Sequence, residues 1–60
     1  MLYDKIKSIA HEKGIPIYKI EDECGLARGS VGKWNNVCPS GEKVKRVADY
    51  LGVTADELLE

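Results

Sequence analysis

Apolar residues recur three and four positions apart along most of this chain, and that spacing predicts helices throughout. Leu2, Ile6, Ile9 and Ala10 fall on one helical face while Lys5, Lys7 and Glu12 fall on the other, which predicts a first helix over residues 2–13. Ile17, Ile20 and Cys24 predict a second over about 16–24, with Pro16 at its start, where a missing N–H costs nothing. Val31 and Trp34, three apart with Leu26 just ahead, predict a third over about 28–36. Cys38-Pro39 ends it, because a residue before proline is driven into extended backbone. Val44, Val47, Ala48 and Leu51 give a fourth over 41–51, with Ser40 as its natural N-cap. Thr54 and Glu57 form a capping box, Val53 and Leu58 fit a hydrophobic staple across it, and a fifth helix follows from Ala55.

Three of these patterns stop on glycine followed by an aliphatic residue: Gly14-Ile15, Gly25-Leu26 and Gly52-Val53. Such a stop places glycine in the left-handed region and folds the next residue back onto the helix it ends. Ile15 is expected to fold onto Ala10, Leu26 onto Ile20 or Glu21, and Val53 onto Val47 or Ala48. Five short helices without a strand pattern predict an all-α fold, a single domain over residues 1–60. Gly25 lies between the second and third helices. Helix, tight glycine turn and helix, over about 16–36, is the sequence form of a helix-turn-helix, whose second helix can enter a DNA major groove.

Length narrows the fold further. A chain of 60 residues buries only roughly 60% of its unfolded surface, and a helical bundle is one of the few solutions without staples. Two cysteines make no disulfide framework, and whether Cys24 and Cys38 pair is a question of geometry. The formal charge of −1 is not the strongly basic footprint of many nucleic-acid binders. Its distribution matters more. Lys5, Lys7, Lys13 and Lys19 outweigh Asp4 and Glu12 in the first third, whereas Asp56, Glu57 and Glu60 gather at the C-terminal end. No apolar run is long enough to span a membrane and no signal peptide is evident, so a soluble cytoplasmic protein without a membrane partner is expected. Free thiols fit that compartment.

Taken together, these segments resemble the Cro and phage-repressor type of helix-turn-helix, the XRE-like DNA-binding domains. The resemblance covers nearly the whole chain: the first helix to Gly14, Ile15-Pro16-Ile17, Gly25-Leu26, the Val31 and Trp34 pair, and the tail from Val47 to Thr54. It implies a compact five-helix, lambda-repressor-like bundle that binds a double-stranded DNA operator of paired half-sites, usually as a homodimer, with the third helix as reader. Three departures stand out. Glu21 occupies a position where the family usually has alanine, so its stem is expected to bend outward. Ala27 stands where a serine or threonine N-cap is usual, a loss of about 1 kcal/mol. Val37-Cys38-Pro39 replaces an often basic loop.

With Val31 and Trp34 facing the core, helical spacing puts Arg28, Gly29, Gly32, Lys33 and Asn36 on the opposite face. The resemblance makes Arg28, Gly29, Gly32 and Lys33 base-reading candidates. Arg28 can pair with both acceptors of a guanine. Phosphate candidates are Ser30 and Asn36, Tyr18 and Lys19 at the start of the second helix, and Ser40 and Lys43 at the start of the fourth. Gly29 and Gly32 each weaken a helix by about 1 kcal/mol, and two accounts stand: close approach of backbone to base edges, or a weakened reader.

Other chemistry finds little footing. Trp34 and Cys24 read as core, Tyr3 and Tyr50 as core-edge residues, and His11 as a solvent-facing helix residue. Cys24, Cys38 and His11 lack metal-ligand spacing, and no cofactor is expected. Glu21, Asp22 and Glu23 read as a solvated charge run, so no enzyme is expected. The leading expectation is a transcriptional regulator of phage or mobile-element type, a repressor by occupancy. Its rival is a protein-interaction module using the same fold without specific DNA binding.

Overall fold

Four α-helices form where local signals are strongest. The computed structural model describes all 60 residues, with α1 over Leu2–Lys13, α2 over Ile17–Glu23, α3 over Gly41–Leu51 and α4 over Ala55–Leu59. There is no strand. Between α2 and α3 lies a single 3-10 helix, Val31–Lys33.

Each boundary has a local cause. The three glycine stops close as expected: Ile15 N–H donates to Ala10 C=O at 2.9 Å, Leu26 N–H to Glu21 C=O at 2.8 Å, and Val53 N–H to Ala48 C=O at 3.0 Å. Ser40 Oγ accepts from Lys43 N–H at 3.4 Å and Thr54 Oγ1 from Glu57 N–H at 3.2 Å. Only this half of the Thr54 capping box is made. The start of α1 has no cap from its own side. Asn35, far along the chain, supplies one: its Oδ1 accepts from Tyr3 N–H at 3.0 Å and Asp4 N–H at 3.4 Å, and its Nδ2 donates to the Asp4 carboxylate at 3.2 Å.

One face of every element meets in a common core. Ile6 and Ala10 come from α1, Ile20 from α2, Val44, Val47, Ala48 and Leu51 from α3, and Leu58 from α4. Cys24, Val31 and Trp34 complete it from the connection between α2 and α3. Tyr3 and Tyr50 are half-buried at its edge. α3 packs on α2 and α4, and α1 packs on α4 and the 3-10 helix.

The third segment differs from the α-helix expected over residues 28–36. Hydrogen bonds there run mostly three residues back: Ser30 N–H to Ala27 C=O at 3.1 Å, Lys33 to Ser30 at 3.1 Å, Trp34 to Val31 at 3.0 Å and Asn36 to Lys33 at 3.0 Å. A 3-10 helix has three residues per turn, so Val31 and Trp34 lie one above the other and both are buried. The expected pattern of burial is met by a tighter and shorter winding. Gly29, at φ 88°, breaks the segment's helical backbone at its start, where no left-handed residue would be needed in a continuous α-helix.

Candidate nucleic-acid interface

The connection between α2 and α3 is organised by two acids of α2. Gly25, at φ 71°, turns the chain out of α2, and Ala27 to Ser30 form the next turn. Ala27 has no side-chain acceptor for the N–H groups that begin a helical segment, and such groups are costly to bury unpaired. Glu21 meets that need from below. Only 3% exposed, it accepts on Oε2 from Gly29 N–H at 3.0 Å and from Val31 N–H at 3.1 Å. The expectation of an outward-bent Glu21 is therefore corrected. Its stem fills the position next to the core, and its carboxylate makes charge-assisted bonds to the loop backbone. Of the expected solvated charge run, Asp22 and Glu23 are exposed and only Glu21 is buried.

Asp22, the next residue, holds the loop's one arginine. Arg28 Nε donates to Asp22 Oδ1 at 3.0 Å and Arg28 Nη2 to Asp22 Oδ2 at 2.8 Å, a two-pronged pair with both side chains well exposed. The Arg28 guanidinium also lies over the Tyr18 ring, 5.1 Å from its centre. The hydrogen bonds from Arg28 hold the Asp22 carboxyl below its ordinary range, and the same bonds raise the Arg28 guanidinium.

The other candidates are distributed as follows. Gly29, Gly32, Lys33 and Asn36 are exposed, and the side chains of Lys33 and Asn36 have no hydrogen-bond partner. The Ser30 hydroxyl donates to Ala27 C=O at 2.6 Å, so its proton is already committed. Lys19 and Lys43 are exposed and form no ion pair, unlike Lys45 with Asp49 and Arg46 with Glu42. Tyr18 is brought to Arg28, whereas no hydrogen bond or ion pair joins Ser40 and Lys43 to the α2 side of the connection. Gly29 has a local reason for being glycine: its positive φ is one that side chains rarely adopt. Gly32 has an ordinary φ, and a Cβ added there would meet nothing within 4 Å.

Sequence reasoning missed Glu21, Asp22 and Asn35. A buried role for Glu21 is signalled by its place on the apolar side of α2, four residues after Ile17 and three before Cys24. Asp22 and Arg28 are six apart across a turn, a spacing that belongs to no helical rule.

Cys24 is buried with its thiol 3.7 Å from Arg46 C=O, and burial pushes that thiol up. Cys38 is exposed, and both cysteines are free. No three His, Cys, Asp or Glu residues are grouped so as to hold a metal ion, and no helix is long and apolar enough to cross a membrane. Comparison with family models, with curated proteins and with solved structures finds no match for this chain.

Proposed function

We propose that this chain is a sequence-specific DNA-binding transcriptional regulator of the Cro and phage-repressor type. In this reading α2 and the 3-10 segment form the two halves of a helix-turn-helix. The chain acts in the cytoplasm as a repressor, by occupying an operator, and it binds paired half-sites as a dimer formed at least on DNA. One observation carries the reading: Arg28, Gly29, Gly32, Lys33 and Asn36 all face solvent while Val31 and Trp34 between them are buried. A polar, cationic surface without internal partners at Lys33 and Asn36 is thereby offered on a segment anchored in the core by Val31 and Trp34. Lys19 and Lys43, exposed and free of ion pairs, flank it in sequence and suit phosphate oxygens.

The test is an NMR titration of the labelled protein with mixed-sequence duplex DNA at low and moderate salt. Shifts concentrated over residues 28–36 and near Lys19 and Lys43, fading as salt rises, are the expected result, because phosphate contacts release counterions. Absence of shifts at low salt overturns the reading.

A second reading has its own support. The 3-10 helix is three residues long, where a reader helix normally lies along a groove about 12 Å wide, and the formal charge is −1. Both favour a protein-interaction module in which this surface meets another protein. Salt-insensitive binding to a protein, with no binding to duplex DNA, would establish it.

A further inference from the structure

Resting on the DNA-binding reading, we infer that Asp22 and Tyr18 are positioning residues that hold Arg28 as an end-on fork for the O6 and N7 edge of one guanine. The donor geometry is the starting point. A guanidinium has five N–H groups in a fixed plane. Asp22 takes the side-on pair, the Nε proton and one Nη2 proton, at 3.0 and 2.8 Å. The second Nη2 proton and the Nη1 proton beside it have no partner, and these two form the end-on edge of the fork. The Arg28 guanidinium carbon also lies over the Tyr18 ring, 5.1 Å from its centre, a second contact that limits where the fork can swing.

A fork of this kind selects its acceptor. In the major groove only guanine presents two neighbouring acceptors, whereas adenine pairs an acceptor with a donor and thymine and cytosine offer a single polar group. A phosphate could also take two parallel bonds. The Asp22 carboxylate argues against it, since its negative charge beside the fork cancels the attraction that an anionic group would gain. A neutral base edge needs the hydrogen-bond directions and not the net charge. Asp22 thus biases Arg28 from a general phosphate anchor towards a base reader.

The experiment starts from duplexes selected out of a randomised pool by the native chain. Affinity is then measured for the best duplex and for the same duplex carrying 7-deazaguanine, which lacks N7, at each guanine in turn. The native chain is expected to lose about tenfold at one guanine, the scale of one two-pronged base contact. Asp22→Asn is expected to bind mixed-sequence DNA at least as tightly while that loss shrinks to about twofold or less, and Tyr18→Leu to shrink it in part. Unchanged thermal melting and an unchanged amide spectrum for Asp22→Asn show that the fold is intact. Full discrimination retained by Asp22→Asn overturns the inference, as does salt-sensitive binding by the native chain without any guanine preference, and in both cases DNA binding itself stands. No binding to any duplex at low salt removes both readings together.

Discussion

The side-chain oxygen of Asn35 accepts the backbone N–H of Tyr3 at 3.0 Å, from a position 32 residues away. It ties the first helical turn of the chain to the segment that carries the candidate reading surface. Asn35→Ala is expected to destabilise the fold by about 1 kcal/mol, the usual worth of an N-cap. Amide exchange at Tyr3 and Asp4 should quicken more than at Val47, which separates loss of the cap from general loosening. Equal changes at all three would mean that Asn35 does not act as the cap.

Glu21 carries a larger share. Glu21→Ala leaves Gly29 N–H and Val31 N–H without their acceptor, and at about 1–3 kcal/mol for a buried group it is expected to be among the most damaging polar substitutions. Glu21→Gln keeps an acceptor oxygen and should recover much of that loss. Urea denaturation of the two variants beside the native chain tests the ranking.

The two glycines of the candidate surface should respond with opposite signs. Gly29→Ala forces a side chain into a φ of 88° and is expected to cost about 1–3 kcal/mol. Gly32→Ala meets open space at an ordinary φ and should gain a few tenths to about 1 kcal/mol by restricting the unfolded chain. Thermal melting of the pair decides. Two losses of equal size would show that Gly32 is also held in a conformation reserved for glycine.

The pH response of Asp22 follows from its partner. Its folded carboxyl titrates below its unfolded value of about 3.9, so its contribution is present above that value and is lost as pH falls through the folded one. The contribution is small because the pair is exposed. Arg28→Ala is expected to return the Asp22 midpoint, followed by its carboxyl carbon shift, towards the ordinary range.

The two thiols should be told apart by a maleimide or disulfide reagent at neutral pH. Cys38 is expected to react at once and Cys24 only on unfolding, because Cys24 is buried and burial favours its protonated form. Rapid labelling of both would mean that the core opens readily around α2.

The helices were legible where their causes are local. α1 and α3 have the bounds that spacing, Ser40 and the glycine stops predict, because a helix face and its caps lie within a few residues of one another. The third segment was not legible. Two apolar residues three apart suit an α-helix and a 3-10 helix equally, so Val31 and Trp34 fixed which side is buried and not how the backbone winds. Arg28, Lys33 and Asn36 could be placed on the surface for the same reason. The clasps of Glu21 on Gly29, Asp22 on Arg28 and Asn35 on Tyr3 join residues across turns or across the chain, and no periodicity carries them.

The hold of Glu21 on the two amides separates shape from message. Residues 29 and 31 are pinned through their backbone, and Val31 and Trp34 are anchored in the core, so the path of this segment owes little to Gly32, Lys33 or Asn36. Those three positions are a replaceable alphabet on a fixed line. On the DNA-binding proposal, a library varied there alone would change what the surface touches while keeping its form, so the domain would be retargeted without being rebuilt.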